Sequence, residues 1–420
     1  MEKFQMSSKK AHYLVEKYGS PLYVYNEDIL RKRCRELNNL LPHKNFRVNY
    51  SAKANTNLEI LKIVKEEGLD VDAMSPGEIF IEERAGFTPD RIFYISNNVS
   101  AEEMKFAIDR GILVSVDSLS QLELYGKINP GAKVAVRFNP GIGVGHHEKV
   151  NTGGKKTKFA IQCEFIPQVK DTLKKYNLTL AGINQHMGSL FMNGDKYVEG
   201  VRNLFDIAGE FPGLEFIDLG GGFGIPYKPD EERLDIDELS DRLGKVFNEF
   251  MAGYDNQDLI LKIEPGRYIV AECGMLLGTT YSVKENYEMK YIGTDLGFNV
   301  LMRPMLYDSY HEVKVMKKSS NSSDIDGVIS NETAEENIEA VNVVGNICET
   351  GDIIAKGREL PIINEGDIIA VMDAGAYGFV MSSNYNCRLR PAEVLIDSDD
   401  NDRLIRKRET LEDLVRHFEI

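Results

Sequence analysis

The stretch FRVNYSAKANTNLEILKIVKEEGLDVDAMSPGEIFIEERAGF, residues 46–87, contains the same pattern twice. A short apolar, β-branched run (FRVNY, 46–50; LDVDAM, 69–74) ends in a polar turn, and an amphipathic stretch follows. In NLEILKIVKEEG, Leu58, Ile60, Leu61 and Ile63 fall at the spacing that gathers apolar side chains on one helical face. PGEIFIEERAG reads the same way. Further along, the pattern recurs through RIFYIS (91–96), ILVSVD (112–117), KVAVRF (133–138), LAGINQH (180–186), FIDLG (216–220) and LILKIE (259–264). SAEEMKFAIDRG and IPQVKDTLKKY are two of the intervening helices, and Ser100 followed by Glu103 predicts a capping box at the start of the first. Eight alternating strand–helix units predict an α/β fold, a closed parallel (β/α)8 barrel of TIM type. The competing fold is an open doubly wound sheet, but no G-x-G-x-x-G follows the first strand.

Beyond about residue 272 the texture changes. YSVKENYEMKYIGTD, HEVKVM, EAVNVVG, DIIAVMDAG and AEVLID are short or alternating runs between turn residues, the pattern of antiparallel β-structure. The N-terminal PLYVYN could add a strand to the same domain. The expected division is a barrel over residues 30–272 and a β-rich domain made of 1–29 with 273–420. Residues 319–337, SSNSSDIDGVISNETAEEN, read as a polar loop.

Composition bounds the function. The net charge of −16 argues against general nucleic-acid binding, which needs clustered Lys and Arg. No apolar run reaches the roughly 20 residues of a membrane span. No secretory h-region is visible near the N-terminus, so a cytoplasmic location is the expectation. The five cysteines are widely spaced and form no C-x-x-C, which predicts reduced thiols and no zinc ribbon. H-E-x-x-H is absent too, and no metal is expected.

Barrel enzymes carry their chemistry at the C-terminal ends of the strands. The residues there are Lys53, Ser75, Asn97, Asp117, Asn139, His186, Gly220–Gly222 and Glu264. A buried lysine becomes a nucleophile toward aldehydes, although on position alone a surface lysine in a loop is the better reading of Lys53. His186 could lie against an aromatic cofactor, act as a base, or serve in an ordinary structural hydrogen bond. The glycine run could close its N–H groups on a phosphate or simply make a tight turn. Glu264 could keep a pyridine nitrogen protonated and Arg267 offers a fork for carboxylate or phosphate, or the two could be an exposed ion pair on a Pro-Gly turn. Among the later segments, Arg303 and Tyr307 pair a guanidinium with a phenol, and Cys348-Glu349-Thr350-Gly351-Asp352 sets a thiol beside acids.

YSAKAN, HMGS, LGGGFG, EPGR, RPMLYDSYHEV, CETGD, DAGAY and MSSNYN occur in this order, and together the chain resembles the alanine-racemase-like (fold type III) pyridoxal-phosphate decarboxylases from about Pro21 to ETLEDL. The resemblance implies pyridoxal 5'-phosphate held covalently by Lys53, with His186 against its ring and Glu264 on its nitrogen. Gly221, Gly222, Gly266, Arg267 and Tyr377 would serve its phosphate. Arg267, Arg303, Tyr307 and Tyr377 would bind substrate. Cys348 and Glu349 would enter from the partner of a homodimer, Cys348 returning a proton and Glu349 binding the distal ammonium. The implied reaction is decarboxylation of meso-2,6-diaminopimelate to L-lysine, the last step of lysine biosynthesis. Thr350, Leu190 and Phe191 depart from the family's usual Ser, Gln and small aliphatic residue, and 319–337 looks like an insertion. Sister decarboxylases for ornithine, arginine, carboxynorspermidine or a carrier-tethered substrate stay open, as do a racemase and a non-catalytic pyridoxal-phosphate-binding protein.

Overall fold

The computed structural model describes residues 3–145, 154, 157–318 and 337–419. Nearly all of the polar segment 319–337 therefore lies outside the described residues. The chain divides into two compact units, one of Met1–Leu30, Tyr227–Glu231 and Val270–Ile420, the other of Arg31–Pro226 and Glu232–Ile269.

The second unit is the barrel. Its strands are β1 (Phe46–Ser51), β2 (Asp70–Ala73), β3 (Ile92–Ile95), β4 (Leu113–Val116), β5 (Lys133–Arg137), β6 (Thr179–Asn184), β7 (Phe216–Asp218) and β8 (Ile260–Ile263). Each pairs in parallel with its neighbour in sequence, and β8 closes onto β1 through Leu261–Phe46, Lys262–Arg47 and Ile263–Val48. All eight predicted runs supply a strand. The helices between them start where side chains cap them: Asn57, Ser75, Ser100 and Ser118 each accept a backbone N–H of the first turn. Ser100 and Glu103 form the expected reciprocal capping box.

Phe93, Ile95, Ala135, Ala181 and Phe216 fill the barrel interior. Phe93 and Phe216 meet edge to face at 5.3 Å, and the Lys262 ammonium lies 4.6 Å from the Phe216 ring centre. Gly182 is obligatory here, because a Cβ would come within 2.3 Å of the Phe216 ring.

The other unit is built on a sheet. Among the described residues its strands run in the order Ile353–Pro361, Ile338–Val344, Met289–Thr294, Gly274–Asn286, Leu22–Asn26, Ala392–Ile396 and Asp402–Arg406. Ile368–Val371 also pairs with Gly274–Asn286 and carries Val313–Met316 on its other edge. The long strand serves two sets of partners because its register shifts between Thr280 and Ser282. PLYVYN does join this sheet, pairing antiparallel with Gly274–Leu277 and parallel with Ala392–Ile396. The segment Tyr227–Glu231, inside the 30–272 range expected for the barrel, belongs to this unit because Tyr227 packs its ring on Arg303 and His311.

One barrel helix carries an unusual burden. Glu82 on Pro76–Ala85 is fully buried, and neither carboxyl oxygen has a hydrogen-bond partner among the described residues. Burial, and then the charges of Asp72 and Glu78, push its carboxyl up to about 9. The folded state therefore holds a proton that the unfolded chain releases above its ordinary value of 4.5. Stability from this group is complete below that value and is lost as pH rises toward 9, by up to about 1.4 kcal/mol per pH unit. Glu82→Gln should remove this loss. Its melting temperature should draw level with wild type near pH 5 and exceed it increasingly toward pH 9; parallel melting curves across that range would exclude the effect.

Candidate active site

At the C-terminal mouth of the barrel the hydrogen-bond ladder continues past the strands. Phe138 N–H donates to Asn184 O (2.8 Å), Gln185 to Asp218 O (3.1 Å), Glu264 to Gly220 O (3.0 Å) and Ser51 to Pro265 O (3.0 Å). These bonds fasten HMGS, the glycine run, EPGR and YSAKAN to one another. The glycines are there because backbone replaces side chain: a Cβ on Gly220 would lie 2.2 Å from Gln185 O, and one on Gly221 would lie 1.9 Å from Glu264 O. HMGSLF is further stitched to the run by Phe191 N–H to Gly222 O and Gly224 N–H to Phe191 O, both 3.0 Å. Phe191 stacks on Tyr197 at 4.6 Å, which gives its departure from the family pattern a packing role.

Lys53 sits on a turn of 3-10 helix, Ala52–Ala54, directly after β1. Its Nζ donates to Ser51 Oγ (2.9 Å) and lies 3.7 Å from Asp72 Oδ2, which also accepts from Ser51 Oγ (2.7 Å). The amine is thus held in place while a third of its side chain stays accessible. Burial raises the Asp72 carboxyl, opposed by the attraction of Lys53.

His186 is held well below the ordinary imidazole range, first by burial and then by the positive charges of Arg137 and Lys53. Gly221 N–H donates to its Nδ1 (3.3 Å), so the neutral ring carries its hydrogen on Nε2. Glu264 is raised well above the carboxylate range by burial, with Asp218 and Asp72 adding to the shift. Its Oε1 is buried and has no hydrogen-bond partner among the described residues. A protonated ring nitrogen would supply both the missing donor and the missing positive charge. Arg267 begins the short helix Arg267–Val270 and donates to Ser189 Oγ (3.0 Å). Gly266 meets the Ser51 and Ala54 side chains closely, a Cβ there falling 3.0 Å from Ser51 Cβ. The lysine, the neutral histidine and the buried acid are what a pyridoxal phosphate needs from its protein.

Asp72, Arg137 and Asp218 were not among the residues singled out from sequence. The available signal was a charged residue inside an apolar run, at the end of LDVD, KVAVR and FID. Arg137 is buried and donates to His186 O (3.5 Å), while Asp218 accepts from Gly220 N–H (2.9 Å).

The remaining candidates lie on the β-rich unit. Arg303 opens the helix Arg303–Tyr307, and Tyr307 closes it. Cys348 and its neighbours form a turn held from below by Asp352, whose carboxylate accepts from Phe298 N–H (2.6 Å) and Ile347 N–H (2.7 Å). Asn386 clasps Cys348 at both ends, its Oδ1 accepting from the backbone N–H (3.1 Å) and its Nδ2 donating to Sγ (3.2 Å). Tyr385 donates to Glu349 Oε1 and stacks on Phe298. MSSNYN therefore orders CETGD, a pairing no spacing rule reveals. Tyr377 adopts φ +56° in a tight turn where a Cβ on Gly375, two residues earlier, would strike Val270 O at 1.8 Å.

The pyridoxal binding domain of the pyridoxal-dependent decarboxylases matches residues 27–271. The enzyme class is therefore a pyridoxal-phosphate-dependent carboxy-lyase. A diaminopimelate decarboxylase of Methanothermobacter thermautotrophicus is 43% identical over 411 residues, covering 96% of this chain and 92% of its own. That of Escherichia coli is 33% identical, covering 96% and 94%. The crystal structure of diaminopimelate decarboxylase from Helicobacter pylori complexed with L-lysine superposes with a TM-score of 0.86 at 30% identity, covering 96% and 98%. The chain belongs to the diaminopimelate decarboxylase family.

Borohydride reduction of the protein loaded with pyridoxal phosphate should fix the cofactor's mass to the peptide containing Lys53, and Lys53→Ala should take no such adduct. Recovery of the adduct on another lysine of the native protein would overturn this assignment.

Proposed function

We propose that this protein removes one carboxylate from meso-2,6-diaminopimelate, giving L-lysine and CO2. The observation that carries the substrate is Arg303, a guanidinium 2% exposed, bonded to His311 Nε2 at 2.8 Å and covered by the Tyr227 ring at 4.7 Å. Such a group suits the second carboxylate of a dicarboxylic amino acid better than the uncharged or cationic ends of ornithine or arginine. The high identity to relatives bearing this name supports the same choice.

Bound pyridoxal phosphate supplies the electron sink for the bond broken at the α-carbon. Lys53 provides the amine that holds it, and Ser51 and Asp72 orient that amine. Glu264 accepts from the ring nitrogen and keeps it protonated. His186, neutral and fixed by Gly221, presents an uncharged ring to the cofactor's face. The Gly221, Gly222, Gly266 and Arg267 backbone, with Tyr377, serves the phosphate. Arg267, Arg303, Tyr307 and Tyr377 bind substrate. Cys348 returns a proton to the α-carbon after CO2 leaves, and Glu349 binds the distal ammonium.

A homodimer with shared sites is part of the proposal. Cys348 and Glu349 are exposed on their own chain, yet are pinned by Asn386 and Tyr385 as preorganised groups rather than loose loop residues. A cytoplasmic place fits five free cysteines and a net charge of −16, and among the described residues no helix is long and apolar enough to cross a membrane.

Product analysis tests the substrate. Incubated separately with meso-diaminopimelate, ornithine and arginine, the loaded enzyme should form L-lysine and CO2 from the first and leave the others essentially unchanged. Faster release of CO2 from ornithine or arginine would replace the proposal with a sister activity.

The shared site has its own test. Cys348→Ala and Lys53→Ala should each be nearly inactive. Heterodimers of the two, verified after subunit exchange, should regain activity, since one of their two sites holds both native residues. Verified heterodimers as inactive as their parents would show that each chain completes its own site.

A further inference from the structure

We propose that His311 is a specificity-positioning residue that aims the Arg303 fork at the substrate's second carboxylate. This rests on the substrate reading above and goes beyond it, because His311 itself touches no substrate in that reading.

Arg303 Nη1 lies 2.8 Å from His311 Nε2. Arginine can only donate, so Nε2 must present its lone pair. The ring hydrogen is then on Nδ1, which lies 2.8 Å from Met372 O and donates to it. Both ring nitrogens are thereby committed, and the neutral tautomer is fixed by its two partners in a side chain with no exposed surface. The anchoring carbonyl is itself held, since Met372 follows the strand Ile368–Val371 and its N–H donates to Glu312 O (2.9 Å). Ser309 Oγ accepts more weakly from Nη2 (3.4 Å). Tyr227 covers the guanidinium at 4.7 Å and meets the His311 ring at 5.3 Å and 76°.

Bidentate recognition of a carboxylate demands that the planar fork be aimed before the ligand arrives, or ordering it weakens binding. A histidine in this tautomer aims the fork without adding an anion beside it. Leucine or phenylalanine would offer no acceptor. Glutamate would offer a carboxylate that competes with the ligand's own for the same N–H groups. A neutral acceptor orients the cation without itself neutralising its charge.

The test compares His311→Glu, His311→Phe and His311→Gln in the loaded enzyme. Three quantities are read: KM for meso-diaminopimelate, the inhibition constant of L-lysine, and that of 1,5-diaminopentane. L-Lysine retains the second carboxylate; 1,5-diaminopentane is the same chain with neither. His311→Glu should raise the first two together, on the order of 10- to 100-fold for a charge-assisted hydrogen bond diverted, and leave the third unmoved. His311→Phe should act in the same direction. His311→Gln, which keeps an acceptor near the Nε2 position, should restore most of the preference for L-lysine over 1,5-diaminopentane. Cofactor absorbance and melting temperature identify any variant that is merely misfolded, and the Glu–Gln comparison stands without the Phe variant. Folded Glu and Gln variants with the wild-type ratio of the two inhibition constants would overturn the inference. Arg303→Lys separates its failure from that of the substrate reading: a ratio sensitive to Arg303 but not to His311 sinks the inference alone, and a ratio insensitive to both sinks the two together.

Discussion

The closure of β8 onto β1 is the constraint from which the barrel's chemistry follows. Strands more than two hundred residues apart pair in parallel, and the pairing runs on through Ser51 N–H to Pro265 O and Ser51 Oγ to Glu264 O (3.1 Å). YSAKAN and EPGR are thus neighbours, and the amine of Lys53 and the carboxyl of Glu264 are presented by adjacent strand ends. Every strand in between must be present for that meeting, because a barrel closes only when each ladder is filled. Gly182 and the glycines of LGGGFG are the local concessions, giving up side chains where rings or backbone occupy the space.

Closure also concentrates charge in a place poor in water. Asp72, Asp218 and Glu264 are buried acids, and Lys53 and Arg137 are the facing cations. Burial raises the carboxyls and lowers His186 and the Arg137 guanidinium, so each group's protonation depends on its neighbours. A positively charged ring nitrogen would stabilise the Glu264 carboxylate more strongly here than at a surface, because little water screens the pair and the charge opposes the desolvation that raises the carboxyl. The protein keeps the acids deep and the nucleophilic amine partly accessible, which separates the group that tunes a cofactor from the group that captures it.

Three charged or reactive groups of the β-rich unit are held by uncharged partners. His311 orients Arg303, Asn386 grips Cys348, and Tyr385 holds Glu349. In each case the holder leaves the held group's charge or nucleophilicity largely intact, whereas a counter-ion would consume it. The arrangement explains why SSNYN and YHEV matter although none of their residues was assigned a task from sequence.

The strand–helix alternation, and with it the barrel, is legible in the residues alone. Periodicities of two and 3.6 are local properties of the chain, and eight such units admit few closed arrangements. Lys53, His186 and Glu264 were legible for the same reason: a strand end is visible wherever an apolar run stops. The side chains of Asp72, Arg137 and Asp218 were missed because inward-facing charge within a strand looks like the polar half of an ordinary alternation until the barrel gives that face an interior. Likewise, Tyr227 falls in what reads as a barrel loop, and only folding sets its ring over Arg303. The tautomer of His311 and the clasp of Asn386 on Cys348 were decided by tertiary structure alone, because a hydrogen bond depends on where two distant segments meet, and no local pattern encodes that distance.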